Sequence, residues 1–266
     1  MMGLTAQSTG VYAFLEELNQ SALQADALIA LAGNPNTGKS TVFNGLTGLN
    51  QHTGNWPGKT VILAKGNYRH RNRDITLVDL PGTYSLLANS SDEQVARDFI
   101  CFGNPDAVVV VADATCIERN LNLVLQVMEV TPRTILCLNL IDEAQRKNIA
   151  IDCAKLERIL GIPVVPTAAR DKVGLPELKD AVHQVAVEKR PLRPRPLTYR
   201  ENIEQAVAQL QNAVGPLLRG KFSSRWAAMR LLDGDAALIA AMLHHLQASQ
   251  DREPLRVRCG EADGCE

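Results

Sequence analysis

Gly33-Asn34-Pro35-Asn36-Thr37-Gly38-Lys39-Ser40 has the residue types and spacing to hold a row of phosphates. Its glycines let the backbone wrap an anion so that successive N–H groups face inward. A helix beginning near Lys39 adds the positive end of its dipole. Lys39 is placed to bridge the β- and γ-phosphates of a nucleotide and Ser40 to hold Mg2+, with Thr41 next in the same turn. Asp79-Leu80-Pro81-Gly82 offers a carboxylate that reaches Mg2+ through water and, at Gly82, an N–H for a γ-phosphate. Asn139-Leu140-Ile141-Asp142 supplies an amide and a carboxylate that read guanine. Asp142 accepts from the base N1–H and 2-amino group, and adenine has no such donors. In Thr167-Ala168-Ala169-Arg170 the N–H of Ala169 is the expected contact for the guanine O6. This is a degenerate form of the Ser-Ala-Lys found in common G domains. Gly54-Asn55-Trp56-Pro57-Gly58-Lys59-Thr60 is the loop that must give a hydroxyl to Mg2+ when a γ-phosphate is present, and Thr60 is its candidate, flanked by Gly58 and Lys59. The chemistry these residues imply is binding of GTP and its hydrolysis to GDP and phosphate.

A set of alternating strands and helices must position them. Ala27 to Ala32 is a continuous apolar run ending in the glycine loop, as expected of a strand buried on both faces. Residues 60–63 and 74–78 read as two strands joined through the turn-prone Arg71-Asn72-Arg73. Residues 107–112 and 134–138 are strongly apolar strands, and Ile162-Pro163-Val164-Val165-Pro166 is a short last one. Helical segments are expected over 39–46, 92–102, 120–130, 152–160 and 175–188. The alternation predicts an α/β fold, a Ras-like P-loop GTPase domain with a mostly parallel six-stranded sheet and helices on both faces.

The predicted organisation is a flanking segment at 1–26, a nucleotide domain at 27–188, a linker at 189–198, a helical domain at 199–250 and a tail at 251–266. In the flanking segment Val11, Phe14, Leu15, Leu18 and Ala22 have helical spacing. Pro191, Pro194 and Pro196 stop the helix that precedes the linker. Beyond it Tyr199, Ile203, Val207, Leu210 and Val214 share a helix face.

The chain has 266 residues, 45% hydrophobic and 21% charged, with a formal net charge of −1. This balance disfavours nucleic acid as a partner. No run approaches the roughly 18 apolar residues of a membrane-spanning helix, and no signal peptide is visible. None of the six cysteines, at 101, 116, 137, 153, 259 and 265, forms a C-x-x-C pair, so reduced thiols are expected.

Gly-Asn-Pro-Asn-x-Gly-Lys-Ser at 33–40, Gly-Asn-Trp-x-Gly-x-Thr at 54–60 and Asp-Leu-Pro-Gly-Thr-Tyr-Ser-Leu at 79–86 together resemble the cytosolic G domain of FeoB, the ferrous iron transport protein B of prokaryotes. The likeness continues through Arg225-Trp226-Ala227-Ala228-Met229-Arg230-Leu231-Leu232-Asp233-Gly234-Asp235, which is similar to that family's helical domain. The resemblance implies a soluble regulatory region at the cytoplasmic face of the cell membrane, joined to a membrane domain beyond this chain, and leaves open a second copy of the chain as a partner. It also implies K+ activation, with Asn36, the phosphates and carbonyls of the 54–60 loop around the cation. Thr83 stands where many small GTPases carry a water-orienting Gln, so water must be held by backbone groups or another residue. Two other readings share these motifs: a ribosome-assembly or tRNA-modifying GTPase, and a switch module that binds nucleotide without hydrolysing it.

Overall fold

The structure, a computed structural model, describes residues 25–48, 51–55, 62–87, 90–195, 197–218 and 220–250. The expected flanking helix, the Cys259 and Cys265 tail, and Trp56, Gly58, Lys59 and Thr60 lie outside the described residues. No helix among the described residues is long and apolar enough to cross a membrane.

The chain runs β1 (Ala27–Gly33), α1 (Lys39–Thr47), β2 (Gln51–Asn55), β3 (Ile62–His70), β4 (Arg73–Asp79), α2 (Ser91–Phe102), β5 (Ala107–Asp113), α3 (Ile117–Val130), β6 (Thr134–Asn139), α4 (Ile141–Arg146), α5 (Cys153–Leu160), β7 (Val164–Pro166) and α6 (Leu175–Val182). The strands form one sheet in the order β2-β3-β4-β1-β5-β6-β7. Pairing is parallel from β4 to β7, and β3 alone runs against its neighbours. The six expected strands are all present. A seventh, β2, pairs at the edge from Gln51 against Gly66 to Asn55 against Ile62. Its sequence, Gln-His-Thr-Gly-Asn, has no apolar alternation to announce a strand.

β1, β5 and β6 are buried on both faces, which is why they read as unbroken apolar runs. On one face Ile29, Leu31, Val109 and Val111 meet Val42, Phe43 and Leu46 of α1 and Leu178 and Val182 of α6. Each such side chain gains about 1.5–3 kcal/mol from leaving water. α2 starts in a capping box, Ser90 with Glu93, and buries Val95, Phe99 and Ile100; α3 buries Leu123, Val124 and Val127. The parallel arrangement places the loops after β1, β4, β6 and β7 at one edge of the sheet, the carboxyl edge where ligands of such folds bind.

The proline-rich segment is not a free spacer. Arg195 N–H donates to the Leu160 carbonyl at 2.9 Å, and a Cβ on Gly161 would sit 2.0 Å from the Arg193 carbonyl oxygen. Two compact units divide between Glu204 and Gln205 rather than at the end of the prolines. Tyr199 explains the offset: its hydroxyl donates to Glu129 of α3 at 2.9 Å and its N–H to Glu204 at 2.8 Å. The remaining helices are α7 (Glu201–Leu218), α8 (Ser224–Asp233) and α9 (Ala236–Gln250). In the second unit Trp226, Met229, Leu238 and Met242 are buried, and Phe222 stacks at 5.9 Å from Trp226 and 5.6 Å from His245.

Candidate functional site: a phosphate loop braced by the loops after β6 and β7

β1 delivers the chain into the loop and α1 takes it away. Thr37 is buried and its hydroxyl donates to the Asn34 carbonyl at 2.9 Å, which closes the turn. Gly38 caps α1 in the left-handed conformation (φ 78°) with no side-chain cap and no acidic residue in the first turn. The first helical bond is from Val42 N–H to the Gly38 carbonyl, so the amides of Lys39, Ser40 and Thr41 precede the ladder and face outward. A helix start left uncapped in this way suits an anion. Ser40 and Thr41 are exposed, as are Pro35 and Asn36, the latter at φ 66°. Asn34 differs: it is 3% exposed and neither polar atom of its side chain has a hydrogen-bond partner. Such an amide is costly unless something satisfies it.

Lys39 Nζ is ion-paired with Asp79 at the end of β4. The sequence reading sends this ammonium to phosphates and this carboxylate to Mg2+; here they neutralise each other, because both are largely buried. Burial outweighs the Lys39 ammonium and holds the Asp79 carboxyl above its ordinary range. Past Asp79 the chain stays beside β1: Leu80 N–H donates to Leu31 and Thr83 N–H to Gly33. This carries Gly82 against the phosphate loop, where a Cβ would lie 3.3 Å from three atoms of Pro35. Thr83 is 1% exposed and its hydroxyl donates to the Ser85 carbonyl at 2.6 Å. It is committed locally and has no reach toward a water at a γ-phosphate.

Asn139 ends β6 fully buried. Its Nδ2 donates to the Thr37 carbonyl at 2.9 Å, and its Oδ1 accepts from the Thr167 hydroxyl and from Ala169 N–H, both at 3.1 Å. Asn139 is therefore a brace that ties the phosphate loop to the loop after β7. The sequence reading missed this role, and it bears on the expected O6 contact. Ala169 N–H is taken by Asn139, and Ala168 N–H donates to the Val173 carbonyl at 3.1 Å. Both amides are engaged because the Ala-Ala turn folds back on β6 and Val173. Leu140 then takes a left-handed conformation (φ 61°), unusual for a bulky side chain, and Ile141 N–H bonds to the Thr167 carbonyl. This turn presents Asp142 at the surface, paired with Arg146 at 2.8 Å.

The fold and these loops define a P-loop nucleotide-binding domain of the GTPase kind. A family model described as ferrous iron transport protein B matches residues 27–182, and one described as the FeoB cytosolic helical domain matches residues 199–261. The chain belongs to the FeoB family. It is 39% identical over 211 residues to a Fe(2+) transport protein A/Fe(2+) transporter FeoB fusion protein of Porphyromonas gingivalis, covering 78% of this chain and 25% of that protein. It is 37% identical over 231 residues to the Fe(2+) transporter FeoB of Escherichia coli K12, covering 84% of this chain and 29% of that one. The chain thus spans little more than a quarter of these relatives. Among solved structures, the cytosolic domain of the T. maritima FeoB iron transporter in a GDP form superposes with a TM-score of 0.75 at 37% identity, covering 82% of this chain and 86% of that one. Its GMPPNP form gives 0.75 at 36% identity with the same coverage.

Proposed function

We propose that this chain binds guanine nucleotide and hydrolyses GTP to GDP and phosphate, as the regulatory G region of a ferrous iron transporter at the cytoplasmic face of the membrane. The observation that carries the reading is the Asn139 brace. It ties the turn that carries Asp142, the carboxylate that would read guanine, to the loop that ends in an uncapped helix start and its lysine, so base and phosphates would be bound together. The family relationship favours this over a ribosome-assembly or tRNA-modifying role.

In the reaction a water oxygen attacks the γ-phosphorus, the bond to the β–γ bridging oxygen breaks, and GDP leaves with phosphate. Lys39, released from Asp79, would neutralise the β- and γ-phosphate oxygens, and the amides of the loop and of Gly82 would hold them. Gly82 N–H makes no hydrogen bond among the described residues, which supports that assignment. The donor set fits a hard divalent cation: the exposed Ser40 hydroxyl and the Asp79 carboxylate would hold Mg2+, with Thr60 completing the set. Mg2+ would supply charge neutralisation along the β–γ bridge. Asn36, exposed on the outer turn of the loop, would hold K+ in the place another GTPase gives to an arginine. Because the Thr83 hydroxyl is engaged by Ser85, backbone groups of this segment and of the 54–60 loop would position the water. Nucleotide state would reach the membrane domain through the 54–60 and 82–92 loops.

Phosphate release from GTP, measured against ATP with Mg2+ present, tests the reading. Turnover of GTP and not ATP is expected; tight GTP binding with no phosphate release would make the chain a non-hydrolytic switch.

A further inference from the structure

The segment that follows Gly82 is laid along one face of α3. Arg119 and Gln126 stand seven positions apart on that helix, two turns along the same side. The Arg119 guanidinium lies 4.5 Å from the centre of the Tyr84 ring. Gln126 Oε1 accepts two hydrogen bonds, from the Ser85 hydroxyl at 3.0 Å and from Leu86 N–H at 2.6 Å. The Ser85 hydroxyl in turn accepts from Leu87 N–H at 3.0 Å, and Ser85 N–H donates to Thr83 Oγ1 at 3.2 Å. At its other end the same segment is bound to the phosphate loop through Thr83 N–H and the Gly33 carbonyl at 3.1 Å. The segment that begins at Gly82 is therefore held at two points, next to Gly82 on the phosphate loop and a few residues further on by a side chain of α3.

We infer that Gln126 is a positioning residue for the γ-phosphate: its side-chain oxygen fixes the Thr83–Leu87 segment so that Gly82 N–H meets a third phosphate without first having to be ordered. The inference rests on the GTP-binding reading given above. It concerns only the third phosphate. The amides that cradle the first two, from Asn34 to Thr41, have no contact with Gln126. A loop that must be ordered on binding loses affinity for the ligand that orders it, and a pre-ordered one does not. Gln126 thus separates a nucleoside triphosphate from a diphosphate, although it touches neither.

Both bonds use Gln126 as acceptor, which makes the test specific. In the full 266-residue chain, affinities for GDP and for GMPPNP are measured by titration with Mg2+ present, beside GTP turnover. Gln126→Ala removes both bonds and is expected to weaken GMPPNP about tenfold while leaving GDP unchanged, and to lower kcat more than it raises KM. Gln126→Glu keeps an acceptor oxygen and should restore the unaltered ratio. Ser85→Ala removes one of the two donors and should give about a threefold loss, which keeps the test available should Gln126→Ala fail to fold. A purely structural role for Gln126 would weaken both nucleotides together. An unchanged GMPPNP-to-GDP ratio in folded Gln126→Ala or Ser85→Ala, or a Gln126→Glu chain that behaves like Gln126→Ala, overturns the inference alone. An unaltered chain that binds neither guanine nucleotide overturns the functional reading and this inference with it.

Discussion

Asn139 and Asp142 belong to one motif, yet their surroundings predict opposite consequences of losing them. Asn139→Ala leaves the Thr37 carbonyl and Ala169 N–H without a partner, both in buried surroundings. The Thr167 hydroxyl keeps a neighbour, the Cys137 thiol at 3.2 Å. Two orphaned backbone groups at about 1–3 kcal/mol each put the loss at about 2–6 kcal/mol. In a chain of this size 1 kcal/mol moves the melting temperature by about 2–4 °C, so a fall of at least about 4 °C is expected. Asp142 is different. Its side chain is 37% exposed and its ion pair is with an arginine 67% exposed, a pairing that water screens almost fully. Asp142→Asn should change stability by no more than about 0.5 kcal/mol. Its effect should fall on recognition, weakening GTP and favouring xanthosine triphosphate, whose O2 accepts from the new amide. Thermal melts followed by circular dichroism and competition between the two triphosphates provide the measurements. A melting temperature of Asn139→Ala within 2 °C of the unaltered chain would refute the brace. Retained GTP preference in Asp142→Asn would refute the assignment of the base.

Lys39→Ala should abolish measurable triphosphate binding while the chain stays folded, because Asp79, already held above its ordinary range by burial, can take up a proton once its partner is gone; titration with a fluorescent nucleotide reads this. GTP turnover should be faster in K+ than in Na+, and Asn36→Ala should remove the difference; equal rates in both salts would exclude a cation at Asn36. With a thiol reagent at pH 8, Cys116 should react in the folded chain, and Cys137, whose pKa burial pushes up to about 12, only after unfolding, as peptide mass spectrometry would show. Asp180 is held below its ordinary value of 3.8 by the hydrogen bond with His70 and then by the charge of Arg71. A lowered folded pKa gives stability that is present above 3.8 and lost as pH falls through the folded value. The deficit of Asp180→Asn at neutral pH should therefore vanish in acid, and equal deficits at both would count against the contact.

What the sequence disclosed follows from how local each signal is. β1, β5 and β6 are buried on both faces, so their apolar runs stand out unaided, and the glycine loop between β1 and α1 is read from eight consecutive residues. The sequence reading ends β3 at 63, but the strand runs on to His70, because beyond Leu63 only Gly66 and Tyr68 are buried while Lys65, Asn67 and Arg69 look like loop. The roles of Thr83 and Gln126 were not legible. Whether Thr83 faces a water or its own chain depends on a turn closed by Ser85, and Gln126 reaches Ser85 across 41 positions of sequence. No periodicity encodes such a meeting.

The glycine at position 38 shows why motifs read one at a time understate a site. By sequence it is there for the phosphates, since a tight anion loop needs a left-handed turn. In the fold a Cβ at that position would also sit 2.4 Å from Asn139 Nδ2, the amide that holds the Thr37 carbonyl one residue earlier. An alanine would meet two costs together, a left-handed backbone and the displacement of the brace. The displaced brace would release Thr167 and Ala169 as well. The phosphate loop and the loops after β6 and β7 are therefore one mechanical unit, although Thr37 and Asn139 are 102 residues apart. Gly38 thus constrains the loop after β6 as well as the phosphate loop, and a change made at either end is felt at the other.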